Sequence, residues 1–260
     1  MRASLVRLLA LASVLVAGLA VATADAAERR RLKVALDGAY PPFSRVVDDG
    51  RPVGFDVEVA EALCARMSAD CEVAVVGWDA LLTSLLARRV DLVVASVPIG
   101  EELRRRVEFS RPYHHIAPRF VARLDAAPTD FAPQALKDRR VGVRAGTAHE
   151  KWLADTHPGA ERVLFPTEAA AGAALLDGRV DLVFGDTLAL YEFLDRAPRG
   201  RCGFVGAEVS SPRHFGSGAG IVFRREDRDL GTAVEKALAE IGRDGTLDRL
   251  AGRWFPFAIR

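Results

Sequence analysis

The feature that most constrains the fold of this chain is an internal echo. Residues 85–93 read LLARRVDLV, and residues 175–183 read LLDGRVDLV. In each copy the apolar end of a helix runs into Arg-Val-Asp and then into a strand-like apolar run. Those runs end at Val94-Ala95-Ser96 and at Phe184-Gly185-Asp186. A further strand–helix unit precedes each copy, at 33–67 and at 140–155. Strands alternating with helices specify parallel βαβ units. Two sets of them predict two α/β lobes. In open sheets of this kind ligands bind beyond the carboxyl ends of strands. Ser96 and Asp186 are therefore paired candidates, one from each lobe.

The start of the first lobe gives the same message. A strand over 32–36 ends at Asp37-Gly38, a Tyr40-Pro41-Pro42-Phe43 turn follows, and Gly54-Phe55-Asp56 opens an amphipathic helix over 57–67. This sets Asp37 and Tyr40 just past a strand end. Further strands are predicted at 72–76, 119–122, 141–143 and 202–205, and tail helices at 229–243 and 247–254. Tail helices that pack back on the first lobe require the chain to cross twice between lobes. The expected division is lobe 1 from 28–115 and 218–260, lobe 2 from 119–213, and crossings near 115–119 and 213–218.

Residues 1–27 carry Arg2 and Arg7, an apolar run from Leu8 to about Val21, and small residues with an Ala24-x-Ala26 step. This is the three-part pattern of a secretory signal cleaved near Ala26/Ala27, and the run is short for a membrane span, which takes roughly 20 residues. The exported chain is expected to be soluble. Lys+Arg 36 against Asp+Glu 35 gives a net charge of +1. Nothing in that balance calls for nucleic acid or an anionic membrane. Of three cysteines, Cys64 and Cys71 flank a short loop and can oxidise in an exported protein or stay as thiols. Cys202 reads as a small buried residue. No cluster has metal-ligand spacing, and no cofactor is implied.

Taken in order, the motifs resemble family 3 periplasmic solute-binding proteins, the polar amino acid receptors of ABC importers, and most of all the lysine/arginine/ornithine and histidine binders. The matching pieces are Asp37-x-x-Tyr40-Pro-Pro-Phe43, Gly54-Phe55-Asp56, Cys64 with Cys71, Trp78-Asp79-Ala80-Leu81 and Arg89-Val90-Asp91. They continue with Phe109-Ser110-Arg-Pro-Tyr113, Val141-Gly142-Val143-x-x-Gly146-Thr147, Phe215-Gly216-Ser-Gly218 and Asp244-Gly245-Thr246. The resemblance implies a type II two-lobe α/β clamp, each lobe a mixed, mostly parallel sheet flanked by helices, with a two-strand hinge. It also implies a Cys64–Cys71 disulfide, a periplasmic location, a monomer, one small-molecule ligand and an ABC permease in the inner membrane as partner.

By position, Tyr40 and Trp78 match the aromatic pair that sandwiches the ligand side chain, where cation–π contact suits a positive ligand at about 0.5–2 kcal/mol. Trp78 in the core is the other possibility. Asp37 matches the acid facing a basic ligand side chain, or else holds its own turn. Asp186 matches the carboxylate that takes the ligand ammonium. Thr147 and the backbone at Ala148 match donors at a helix N-terminus that meet the ligand carboxylate, and His149 follows where a polar residue is usual.

The run Ser96-Val97-Pro98-Ile99-Gly100-Glu101-Glu102-Leu103-Arg104 departs from the family pattern, Ser-x-Ser/Thr-Ile-Thr, two residues, then Arg. Leu103 stands where an arginine clamps the ligand carboxylate, Pro98 replaces a hydroxyl and Gly100 a threonine. Losing one partner of a buried charge pair costs about 2–5 kcal/mol, or roughly 30- to several-thousand-fold in affinity. Either another cation substitutes, or the ligand is not an ordinary α-amino acid. Arg144, just past a strand end, is the preferred substitute. Arg104 is adjacent to the vacant place, but one helical step turns a side chain by about 100°. Two other functions fit the scaffold. One is an accessory or sensory binding protein that serves a partner other than a permease. The other is an enzyme resembling cyclohexadienyl dehydratases, with His149 and Glu150 as the acid–base pair.

Overall fold

In a computed structural model of the chain, residues 29–259 are described. The expected signal segment and its cleavage point lie outside them. Lobe 1 begins with strands β1 (Arg31–Leu36), β2 (Ala39–Tyr40), β3 (Ser44–Val46) and β4 (Pro52–Val53), followed by β5 (Asp70–Val75), β6 (Leu92–Pro98) and β7 (Glu108–Phe109). Lobe 2 holds β8 (Arg119–Arg123), β9 (Arg140–Arg144), β10 (Glu161–Phe165), β11 (Leu182–Gly185) and β12 (Cys202–Val205). Strand β13 (Ala219–Phe223) then returns to lobe 1. The two main sheets run β5-β1-β6-β13-β7 and β10-β9-β11-β8-β12, and β2, β3 and β4 form a small third sheet. In both main sheets three strands are parallel and the remaining pairings antiparallel.

The sequence echo has a physical basis in this plan. Asp91 and Asp181 occupy the same place in the two lobes. Asp91 Oδ2 accepts from Lys33 N at 3.0 Å while Asp91 N donates to the Lys33 carbonyl. Asp181 does the same with Arg140, at 2.9 Å. Each junction is also clasped by an arginine. Arg224 donates to the carbonyls of Leu85 and Val90, and Arg123 to those of Leu175 and Val180. Both clasps come from antiparallel strands or their ends, far away in sequence. The echo therefore encodes the helix-to-strand joint that sets β6 beside β1 and β11 beside β9, and so aims the ends of β6 and β11.

Helices cover both faces of each sheet. In lobe 1, α1 (Phe55–Arg66) and α2 (Trp78–Leu86) precede the single-turn α3 (Glu101–Arg104). In lobe 2, α4 (Ala148–Thr156), α5 (Glu168–Leu176) and α6 (Thr187–Arg196) precede the single-turn α7 (Pro212–Phe215), and the tail holds α8 (Arg228–Arg243) and α9 (Thr246–Trp254). Val59 and Leu63 of α1 share one core with Val34 of β1, Val234 and Leu238 of α8 and Leu250 of α9. The tail thus packs on lobe 1. Gly54 precedes α1 at φ 144°, and a Cβ there would lie 2.1 Å from the Phe43 carbonyl oxygen. Only glycine fits this turn. Cys64 and Cys71 form a disulfide with Cα atoms 6.1 Å apart, which ties the end of α1 to β5. Cys202 is a free thiol.

Candidate functional site

The chain passes between the sheets before β8 and again before β13, where His114 and Ala219 pair as an antiparallel bridge. Next to these passages lies a cleft with two arms. The larger, about 950 Å³, is lined by residues that include Pro98, Arg104, His149, Asp186, Arg213 and Phe215. The smaller, about 120 Å³, is lined by Tyr40, Phe43, Ser96, Pro98, His114 and Asp186 among others. Pro98 and Asp186, at the ends of the two echoed strands, belong to both arms.

Asp186 is held by its own helix. It caps α6, with Oδ1 accepting from Ala189 N at 3.0 Å. One carboxylate oxygen is thereby fixed and the other is left for a donor in the cleft. Tyr40 stands on β2 with its ring stacked on Phe43 at 4.8 Å, and it is 46% exposed. Burial of its hydroxyl, with Asp186 and then Asp56 nearby, pushes its pKa up to about 12. Trp78, the first residue of α2, is 49% exposed and so is not a core residue. Val46 and Val75 are also exposed, and both lie against Gly38. Trp78, Val46, Val75 and Asp37 are not among the residues lining either arm, so on the lobe 1 side the aromatic surface of the cleft is that of Tyr40 and Phe43, beside the polar Ser96, Glu101 and Arg104.

Beneath Tyr40 is a buried polar network absent from the sequence reading. The Tyr113 hydroxyl donates to Asp56 Oδ1 at 2.6 Å, Ser96 Oγ donates to Asp56 Oδ2 at 2.9 Å, and Ser96 N donates to the Tyr113 hydroxyl at 2.8 Å. His114 Nε2 lies 2.9 Å from Ser96 Oγ. With Asp56 ionised, the Ser96 proton points to the carboxylate, so His114 Nε2 is the donor to Ser96. His114 Nδ1 has no partner. Burial raises the Asp56 pKa to about 7 against the two hydrogen bonds, and burial, aided by His115, lowers that of His114 to about 3. Ser96 sits at φ 50°, a conformation that costs a non-glycine residue about 1–3 kcal/mol. The bond from its N–H to Tyr113 helps to hold it there. His114 in turn stacks on Phe43 at 5.0 Å, so a column of three rings joins the cleft surface to the passage between lobes.

The other sequence candidates are placed as follows. Ser96 lines the small arm, but its hydroxyl is committed to the network. The Val97 side chain is in the lobe 1 core. Asp37 lies at the end of β1, where its carbonyl accepts from Ser44 Oγ. Ala148 and His149 line the large arm. His149 stacks on Phe215 at 5.4 Å with Nδ1 buried and unpartnered, and burial lowers its pKa. Thr147 caps α4: its Oγ1 donates to the Arg144 carbonyl at 2.7 Å and accepts from Glu150 N at 3.3 Å. Glu150 folds back to accept from Gly146 N at 2.7 Å. A reciprocal capping box would have the acid take the N–H of the cap residue itself; Glu150 reaches one residue further back, so the Gly146 N–H and the Thr147 hydroxyl are occupied.

Leu103 is half-buried and packs on the lobe 1 core. Arg144 lies 3.7 Å from Glu168, and it is not among the residues lining either arm. Arg104 is. A turn of about 100° per step would hold Arg104 away from the vacant place only in a continuing helix. In fact α3 is one turn and Arg104 is its last residue, so its side chain is free to turn into the cleft. Arg213, Phe215 and Ile116 were also missed as lining residues. The only signal for them was the Phe215-Gly216-Ser217-Gly218 run.

Among the described residues no helix is long and apolar enough to cross a membrane, and no cluster of His, Cys, Asp or Glu has the makings of a metal site. The family model for bacterial extracellular solute-binding proteins, family 3, matches residues 32–257. The chain is similar to ABC transporter arginine-binding protein 1 of Escherichia coli, 35% identical over 243 residues, covering 94% of this chain and 98% of the relative. It is 30% identical over 253 residues to the lysine/arginine/ornithine-binding periplasmic protein of the same organism, covering 96% and 97%. In fold it is similar to the L-cystine solute receptor of Neisseria gonorrhoeae, with a TM-score of 0.78 over 89% of this chain and 95% of that one at 23% identity. The expected type II two-lobe architecture is the one observed.

Proposed function

Because the chain belongs to the bacterial extracellular solute-binding proteins of family 3, we propose that it is a periplasmic receptor that closes its two lobes on one small polar solute and presents it to an ABC permease. The solute is an amino acid or a related amine or organic ion. The observation that carries this reading is the placement of Asp186 and Pro98, the two echoed strand ends, on one cleft with Tyr40. Asp186 receives the ammonium group, and Tyr40 and Trp78 receive the rest of a cationic or planar side chain. Leu103 serves no carboxylate. An export signal in residues 1–27 and action as a monomer complete the proposal.

An enzymatic role has less support. Glu150, the acid of the candidate pair, is tied to the backbone at Gly146 and is not poised over the cleft. A thermal-shift screen of amino acids, their decarboxylated amines and small organic acids tests the receptor reading. At least one compound with an ammonium or guanidinium group is expected to raise the melting temperature. A flat response to the whole set contradicts the reading.

A further inference from the structure

We propose that Arg104 and Arg213 form an anion subsite in the larger arm of the cleft. On this proposal the solute carries a carboxylate, recognised there and not at residue 103. The proposal rests on the receptor reading and narrows its ligand to an amphoteric molecule.

Several of the usual anchoring places are closed. Leu103 is apolar and packs on the core. Pro98 has no N–H to offer, and Ile99 N donates to the Gly218 carbonyl at 2.9 Å. Gly146 N and the Thr147 hydroxyl are engaged with Glu150 and the Arg144 carbonyl. Two guanidinium groups nevertheless line the same arm, Arg104 from lobe 1 and Arg213 from α7. Neither is in an ion pair among the described residues, whereas Arg144 is close to Glu168. The Arg104 guanidinium leans over the Phe109 ring at 5.9 Å, which orients it without neutralising it.

Arg213 is fixed to lobe 2 by its neighbours. The next residue, His214, bridges Asp155 of α4 at 3.0 Å and Ser211 at 2.8 Å, and Phe215 stacks on His149. The carboxylates facing this arm are Glu101 and Asp186. Asp186 is assigned to the ammonium, which leaves Glu101 in the arm, while Asp155, the other carboxylate near Arg213, is engaged by His214. Burial lowers the His149 pKa, which works against a positive charge there. Arginine's planar fork matches a carboxylate. Two unpaired guanidinium groups on opposite lobes also repel as the cleft narrows. A carboxylate between them removes that repulsion, so recognising the anion and closing the lobes become one event.

Calorimetric titration of matched acid and amine pairs tests this: L-arginine with agmatine, L-lysine with cadaverine, L-ornithine with putrescine, L-histidine with histamine. Wild type is expected to bind at least one acid more tightly than its amine. Arg104→Gln and Arg213→Gln should each weaken that acid by about 10- to 100-fold and leave the amine unchanged. Both side chains are exposed, so the variants should fold. An amine that binds as well as its acid in wild type, or an acid preference that survives both substitutions, overturns the subsite and leaves the receptor reading intact. No binding by any of the eight compounds overturns the subsite, and a flat thermal-shift screen beside it overturns the receptor reading as well.

Discussion

Asp56 is buried behind the small arm that His114 lines, the two are bridged by Ser96, and their titrations pull stability in opposite directions. The folded state raises the Asp56 pKa to about 7, so it binds a proton that the unfolded chain has released. That contribution is full below about pH 4 and is lost as pH rises to about 7. The folded state lowers the His114 pKa to about 3, so it refuses a proton that the unfolded chain takes. That contribution is present above about pH 6.5 and is lost as pH falls to about 3. Across the shared window the two slopes offset. Asp56→Asn should unmask the histidine, with stability rising from pH 4 to pH 6.5, and His114→Gln should unmask the acid, with stability falling. Urea midpoints of both variants and wild type across this range check it, and parallel curves for all three contradict it. At this scale the sequence was legible where chemistry and position coincide, as at Asp186 and Tyr40. It was not legible at Arg104 or in the Asp56 network. Those depend on where a one-turn helix stops and on a tyrosine that arrives from far along the chain.

Elements were read well where periodicity is strong. The echoed joints, the tail helices and β12 are where the pattern put them, while short strands such as β2 and β7 carry too few residues to show a period. What the pattern left out was the pair of arginines that clasp the joints. Arg224 lies more than 130 residues from its acceptors Leu85 and Val90. It is 4% exposed and also pairs with Asp91 at 3.0 Å. Arg224→Ala takes a donor from the Leu85 and Val90 carbonyls and the counter-charge from Asp91 and Asp227, and should lower unfolding stability by about 3 kcal/mol or more. The disulfide closes a short loop at the edge of lobe 1, remote from the cleft. Replacing Cys64 and Cys71 together with serine should cost about 2–3 kcal/mol on the chain-entropy account with solute binding unchanged. Guanidinium unfolding and calorimetry on the same samples read both numbers.

For the molecule as a whole, two sheets of the same plan supply one strand end each to a shared cleft, and the family shares this architecture. The repeat makes the two-lobe design visible in the sequence itself. The identity of the solute was less visible, because it depends on which donors remain unspent once each loop has satisfied itself. Asp186 is the residue on which the two-lobe account turns, and its second role as a helix cap allows a clean test. Asparagine caps a helix about as well as aspartate, so Asp186→Asn keeps α6 and removes only the charge. The decisive measurement is a calorimetric titration of wild type and Asp186→Asn with the solute that gives the largest thermal shift. One solute per chain should bind wild type, and the variant should melt near the wild-type temperature yet bind about 30-fold or more weakly. A variant that binds as tightly as wild type would contradict the account.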